Sequence, residues 1–145
     1  MRRLSAILLI ATAVAFAAGP VEPVNKDGNG VALKGYDPVA YFKQQKPVPG
    51  LPEYSYSWMG AVWQFASAGN RDAFVANPDR YAPRFGGYCA WAVSHGYTAD
   101  IDPRAWKIAG DRLYLNYNNS VQKKWELDMD KWIEAGERNW PTLHK

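Results

Sequence analysis

The chain contains one cysteine, Cys89, among its 145 residues. A single cysteine cannot form an intrachain disulfide, so a buried core rather than a covalent cross-link must hold the fold together. The residues for such a core are present, because 14% of the chain is aromatic, including seven Trp and nine Tyr. A chain of this length supports one domain of ordinary size. We therefore expect one aromatic-rich globular domain without disulfides.

The first 17 residues have the pattern of a secretory signal peptide. They begin with Met-Arg-Arg, continue with an apolar stretch from Leu4 to Phe16, and end in Ala-Phe-Ala. A charged start, a short apolar middle and a small-residue exit are typical of a bacterial export signal. The apolar stretch is shorter than the roughly 20 residues that span a bilayer. We expect cleavage and export to the periplasm, with no stable membrane span in the mature chain.

The net charge argues against a nucleic-acid partner. The full chain has 17 Lys and Arg against 14 Asp and Glu, which gives +3. Without Arg2 and Arg3 of the signal peptide the balance is 15 against 14, or +1. A nucleic-acid-binding domain usually carries a larger basic excess. We expect no nucleic-acid binding.

Turn-forming and helix-capping residues divide the rest of the chain. Residues 18–34 are rich in Gly, Pro, Asn and Asp and predict an N-terminal arm, followed by a domain over residues 35–143. Asp37 is expected to cap a short helix that begins at Pro38. Ser67 is expected to cap another short helix that ends at Asn77-Pro78.

The C-terminal part of the chain predicts a long helix. Asn119 or Ser120 is placed to cap it, and Trp125 and Trp132 fall on its apolar stripe. We expect this helix to run to about Asn139 and to end at Trp140-Pro141.

An aromatic hairpin is predicted from the alternating segment 54–58 and the return segment 61–65. A two-residue turn would pair Trp58 with Ala61, Tyr56 with Trp63, and Tyr54 with Phe65. The aromatic side chains then share one face. That face is expected to be core, while a ligand groove that uses Tyr56 and Trp63 is the alternative.

A second hairpin is predicted around a turn at Gly110-Asp111. Its register pairs Ile108 with Leu113 and Trp106 with Leu115 on an apolar face, and Lys107 with Tyr114 on a wetter face. The whole pattern predicts a small α+β domain with two antiparallel β-hairpins, short helices and a long C-terminal helix.

Cys89 stands near the start of a predicted helix that follows Gly86-Gly87 and ends at Gly96. The N–H groups and dipole at a helix start lower the pKa of a thiol and favour reaction or metal binding. The apolar residues around Cys89 favour a buried and inert thiol instead. His95 is a second candidate metal ligand, or a residue that merely ends the helix, and Tyr88 and Trp91 are candidates for ligand contact.

Three segments resemble the YHS domain family. They are Phe65-Ala-Ser-Ala-Gly-Asn-Arg-Asp-Ala-Phe-Val-Ala-Asn-Pro-Asp-Arg-Tyr81, Tyr36-Asp-Pro-Val-Ala-Tyr-Phe42 and Gly86-Gly-Tyr-Cys-Ala90. Together they are similar to the exported, single-domain branch of that family. The resemblance implies a small treble-clef-like fold and an association with copper or zinc. At the three places where metal-binding members carry cysteines this chain has Ala40, Ala66 and Asn70, which make poor ligands for a soft metal.

The interpretation that combines these observations is a periplasmic, non-catalytic binding or accessory protein. The resemblance favours metal handling, copper first, with Cys89 and His95 as the candidate ligands. Its partner is then a metal ion or small ligand, and a periplasmic protein partner is possible. Two alternatives stay open: a redox protein that uses the Cys89 thiol, and an interaction module whose aromatic surface binds without metal.

Overall fold

The computed structural model describes residues 21–144, and the predicted signal peptide at residues 1–17 lies outside these described residues. The described part confirms the predicted α+β class, with two antiparallel hairpins and six α-helices. The strands are β1 (Leu51–Trp58), β2 (Ala61–Phe65), β3 (Trp106–Ala109) and β4 (Arg112–Leu115). The helices are α1 (Pro38–Lys43), α2 (Ala68–Ala76), α3 (Pro78–Tyr81), α4 (Ala90–Ser94), α5 (Asn119–Glu126) and α6 (Met129–Leu143). Short 3₁₀ turns lie at Leu33–Gly35 and Arg84–Gly87.

The first hairpin follows the predicted register near its turn and departs from it at its far end. The confirmed pairs are Trp58 with Ala61 and Tyr56 with Trp63. The predicted pairing of Tyr54 with Phe65 is wrong, because Phe65 pairs with Leu51 and the register shifts between Leu51 and Ser55. Pro52 lies within that shift, and proline has no N–H to donate to a ladder. The irregularity therefore falls where the regular ladder would have lost a hydrogen bond.

The aromatic face of this hairpin is part of the core, as expected. Phe74 of α2 covers it, with ring centroids 5.2 Å from those of both Trp63 and Phe65. The rings of Tyr56 and Trp58 also contact Phe74, at 6.3 and 5.6 Å. The intervening serines are exposed. Alternation along β1 thus sorts aromatic side chains inward and serines outward.

The second hairpin has the predicted register throughout. Its pairs are Trp106 with Leu115, Lys107 with Tyr114, Ile108 with Leu113, and Ala109 with Arg112. The expectation of a wetter second face is wrong for Tyr114, which is buried. Its ring lies 5.9 Å from Phe85 and 5.3 Å from Trp125. Helix α5 and the second 3₁₀ turn cover the β4 end of this face and leave Lys107 exposed.

The caps of the short helices are formed as predicted. The Oδ1 atom of Asp37 accepts the N–H groups of Val39 and Ala40, at 2.8 and 3.2 Å. Ser67 Oγ accepts the N–H of Asn70 at 3.1 Å. Side-chain acceptors of this kind satisfy N–H groups that have no partner inside the helix.

The predicted single C-terminal helix is two helices. Asn118 caps α5, accepting the N–H of Val121 at 2.9 Å, and α5 ends before Asp128. Asp128 has φ −145° at the position that precedes α6, and its side chain accepts no capping hydrogen bond there. Helix α6 runs beyond the predicted end to Leu143 and contains Pro141. A proline in the last turn removes only one helical hydrogen bond, so the helix continues through it.

Buried side chains form two neighbouring clusters. The larger contains the inner face of the first hairpin, the apolar face of the second hairpin and residues of α1 and α2. The smaller consists of Phe85, Ala90, Val93, Tyr114 and Trp125. The N-terminal arm joins the larger cluster through Val24 and Ala32. Within residues 21–144, none of the helices is both long and apolar enough to cross a membrane.

Candidate ligand-binding cleft

A cleft of about 340 Å³ lies at the turn end of the first hairpin. Four segments build it: the N-terminal arm, the hairpin tip, the stretch from α3 through the second 3₁₀ turn, and the start of β4. Its apolar lining residues are Trp58, Met59, Trp63 and Phe85; Trp58 is half-buried and Met59 exposed, while Trp63 and Phe85 are buried. Volumes of roughly 300–1,000 Å³ lined by aromatic residues are typical of small-molecule sites.

The hairpin turn places both indoles beside the cleft. Met59 and Gly60 have φ values of 53° and 75°, the signs that a two-residue hairpin turn of type I′ requires. The indole N–H of Trp63 donates to the backbone oxygen of Trp58 at 3.1 Å, and the two rings lie 5.9 Å apart. A non-glycine residue with positive φ is uncommon and unfavourable. The turn thus holds Met59, with about half of its surface exposed, at the rim of the cleft.

The opposite wall depends on a glycine. Phe85 and Gly86 both have positive φ, 58° and 63°. A Cβ atom on Gly86 would lie 2.3 Å from the backbone oxygen of Pro23, so the arm can approach this closely only because no side chain is present. The N–H of Asn25 donates to the oxygen of Gly86 at 2.8 Å. This bond fixes the arm as one wall of the cleft.

Three charged residues also line the cleft: Asp79, Arg84 and Arg112. The Nη2 atom of Arg84 donates to both carboxylate oxygens of Glu137, at 2.5 and 2.6 Å. Arg112 Nη1 lies 3.5 Å from the backbone oxygen of Asp79, a long hydrogen bond. The charge of Arg84 is therefore balanced within the fold, while Arg112 makes no ion pair with any of residues 21–144.

A wider depression of about 720 Å³ lies between the second hairpin and α5. Phe42, Trp106 and Ile108 contribute apolar surface, and Lys107 and Glu126 contribute charges of both signs. Because it is more open than the hairpin-tip cleft, it gives a ligand less enclosure.

Cys89 is buried at the start of α4. It precedes the first residue of the helix, and its Sγ lies 3.6 Å from Oδ1 of Asn116. Asn116 is also buried, and its Oδ1 accepts the N–H of Trp91 at 3.1 Å. Burial raises the pKa of the Cys89 thiol, and the backbone N–H groups of Ala92, Tyr117 and Trp91 oppose that rise without cancelling it. The lowering expected at a helix start is thus outweighed by desolvation.

His95 lies at the other end of α4 and is exposed. Its ring packs at a tilt against the rings of both Trp91 and Trp132, with centroids 4.2 and 4.7 Å away. Its Nδ1 lies 2.7 Å from the backbone oxygen of Trp91. Cys89 precedes α4 and His95 follows it, six positions later in the chain, and a rise of 1.5 Å per residue separates them by about 9 Å along the helix axis. The structure does not bring these two candidate ligands together.

Ala40, Ala66 and Asn70, the positions at which the resemblance implies cysteines in metal-binding relatives, meet at another residue, Asp37. Its carboxylate is completely buried. Oδ1 accepts the N–H of Ala40 at 3.2 Å, and Oδ2 accepts the N–H of Ala66 at 2.9 Å and the side-chain amide of Asn70 at 2.7 Å. Hydrogen bonds to one carboxylate connect these positions here. Among residues 21–144, no group of three or more His, Cys, Asp or Glu side chains is arranged to hold a metal ion.

Of the four predicted ligand contacts, only Trp63 lines the hairpin-tip cleft. Tyr56 packs against α2, Trp91 packs against His95 and Trp132, and the ring of Tyr88 lies 5.9 Å from that of Trp140. Sequence reasoning missed Arg112 and the contribution of the arm. The only sequence features that pointed to the cleft were the Met59-Gly60 turn and the Gly86-Gly87 pair, because the cleft joins segments that are distant in the chain.

Comparison with protein-family models, curated proteins and solved structures finds no match to this chain.

Proposed function

We propose that the mature chain is a non-catalytic binding protein of the periplasm that holds a small aromatic molecule in the hairpin-tip cleft. The observation that carries the proposal is an open volume of about 340 Å³ bordered by the half-buried indole of Trp58 and the exposed side chain of Met59, in a cleft whose other aromatic lining residues, Trp63 and Phe85, are buried. Aromatic rings prefer offset or edge-on contact with other rings, which the indole of Trp58 can offer to a flat ligand.

The polar residues of the cleft suit binding better than catalysis. Arginine supplies a fixed positive charge and hydrogen-bond donors rather than a proton for exchange with a substrate, and Arg84 and Arg112 are the cations of the cleft. They can orient a ligand by charge and hydrogen bonding. The signal-peptide pattern of residues 1–17 supports the periplasm as the compartment of this binding activity.

Indole is the probe for the proposal, and isothermal titration calorimetry on the mature protein is the measurement. We expect saturable one-to-one binding. Trp58→Leu should weaken it about tenfold, which corresponds to about 1.4 kcal/mol, and Met59→Ala should weaken it less because Met59 lies at the rim. Tyr97→Leu, an exposed residue outside the cleft, is the control. Absence of saturable binding, or equal affinity in the folded Trp58→Leu protein, contradicts the proposal.

Copper handling, implied by the resemblance, is the second candidate, and the observation that bears on it is the environment of Cys89. A thiol must lose its proton to bind copper, and burial opposes that loss. Copper at Cys89 would therefore need a local opening of α4. Metal content of the protein isolated from the periplasm, compared between the wild type and Cys89→Ser, separates this candidate from the binding of an organic ligand.

A further inference from the structure

The charged groups at the rim of the hairpin-tip cleft indicate that its ligand carries charges as well as an aromatic ring. Asp79 and Arg112 lie side by side, with Arg112 Nη1 3.5 Å from the backbone oxygen of Asp79. Both residues line the cleft and also a neighbouring depression, so they stand on the ridge between the two. Both are exposed. The rim therefore offers one positive and one negative charge next to the aromatic walls.

These two charges do not neutralise each other. Over residues 21–144, neither the carboxylate of Asp79 nor the guanidinium of Arg112 takes part in an ion pair, although the two residues touch through the backbone. Arg84, the other cation of the cleft, is already held by both oxygens of Glu137. Only Asp79 and Arg112 are thus left to meet charges on a ligand.

We infer that the cleft recognises a free α-amino acid with an aromatic side chain, an inference that rests on the proposed function. The α-carboxylate pairs with Arg112, whose planar guanidinium matches a carboxylate in a two-bonded arrangement. The α-ammonium lies against Asp79. The aromatic side chain lies in the cleft against Trp58 and Met59. A neutral aromatic molecule uses only the walls, and a singly charged one leaves one rim charge without a partner.

Four related probes test this inference by calorimetry. They are L-tryptophan with both charges, indole-3-propionate with the negative charge alone, tryptamine with the positive charge alone, and N-acetyl-L-tryptophanamide with neither. We expect L-tryptophan to bind at least about tenfold more tightly than the neutral amide, equivalent to about 1.4 kcal/mol, with the singly charged probes between them. The neutral amide also represents an internal residue of a peptide.

Two variants assign the charges. Arg112→Gln should bring L-tryptophan and tryptamine to within about twofold of each other, since the carboxylate then has no cationic partner. Asp79→Asn should do the same for L-tryptophan and indole-3-propionate. Arg138→Gln and Asp72→Asn, exposed charges outside the cleft, are the matched controls and should change neither ratio.

The outcomes separate the two levels of the proposal. Equal binding of all four probes overturns the amino-acid inference and leaves the proposed function standing. Preference for a singly charged probe over L-tryptophan also overturns it. If neither indole nor any of the four probes binds, the proposed function fails together with the inference.

Discussion

Asp37 shows how a single side chain organises several elements. Its buried carboxylate accepts the N–H groups of Val39, Ala40 and Ala66 and the side-chain amide of Asn70. These donors belong to α1, to the residue that follows β2, and to α2. A carboxylate saturated by hydrogen bonds can remain buried without a cation because each donor stabilises the charge. The cap predicted from sequence thus also connects three elements.

Asp37→Ala should lower the free energy of unfolding by about 3 kcal/mol or more, because it leaves several buried donors without a partner. Asp37→Asn should cost less, since one oxygen remains while the new NH₂ group faces other donors. Urea unfolding followed by circular dichroism measures both. Asp72→Asn, at an exposed carboxylate of α2, is the control and should change stability by about 0.5 kcal/mol or less. A similar cost at the two positions would disprove the organising role of Asp37.

At the scale of elements, the approach of α6 to the smaller core cluster depends on Gly136. A Cβ atom at this position would lie 2.6 Å from Cζ of Phe85. Phe85 belongs to the buried cluster and also lines the cleft. Because its ring is held by neighbours, it has little freedom to move away from an added methyl group. Helix α6 therefore supports the wall of the cleft from behind.

Gly136→Ala should destabilise the fold by about 1–3 kcal/mol through overpacking. Gly69→Ala provides a matched control inside the protein. At Gly69 the nearest atom to a new Cβ is Ser67 Oγ at 3.9 Å, so the substitution gains helix propensity without a clash. It should be neutral or stabilising by up to about 1 kcal/mol. Thermal unfolding of both variants measures whether the two stability changes have opposite signs. A neutral Gly136→Ala would mean that the ring of Phe85 moves to accommodate the new methyl group.

Two departures from the sequence predictions also belong to this scale. The first hairpin changes register between Leu51 and Ser55, and the C-terminal region breaks at Asp128 into two helices. Each site contains a residue type that often interrupts a regular element: Pro52 in the strand, and Asp128, which is common at helix starts although its side chain makes no capping hydrogen bond here. The prediction continued the periodic pattern across each site and therefore missed the register shift and the break between the helices.

For the whole molecule, buried groups that hold their protons predict lability at high pH. Burial raises the pKa of the Tyr41 hydroxyl, which donates to the backbone oxygen of Pro103 at 2.7 Å, and burial also raises the pKa of the Cys89 thiol. In the unfolded chain these groups ionise near their ordinary values, about 10 for Tyr and about 8.5 for Cys. Ionisation above those values therefore favours the unfolded state.

We expect the free energy of unfolding to be insensitive to these two groups below about pH 8 and to fall as the pH rises above about 9. Each group contributes up to about 1.4 kcal/mol per pH unit above its unfolded pKa, until the folded group also ionises. Urea midpoints at pH 7.5, 9 and 10.5 measure the slope. Cys89→Ala should reduce the loss between pH 9 and 10, and Tyr41→Phe should reduce it above pH 10. A slope unchanged in both variants would contradict this account.

The amino-acid sequence by itself determined the features that depend on neighbouring residues. The caps at Asp37 and Ser67 and the complete register of the second hairpin were predictable, because turns and caps are set by interactions a few residues apart. Alternation also predicted the aromatic face of the first hairpin. These local preferences agree with one another, which is why the α+β class followed from them.

Only the tertiary structure decided which side chains meet across the chain. It buried Tyr114 under α5, raised rather than lowered the pKa of Cys89, and separated Cys89 from His95. It also formed the cleft from four distant segments, with Arg112 beside Asp79. Burial and proximity of this kind depend on how elements pack together, and packing is a property of contacts that no local sequence pattern encodes.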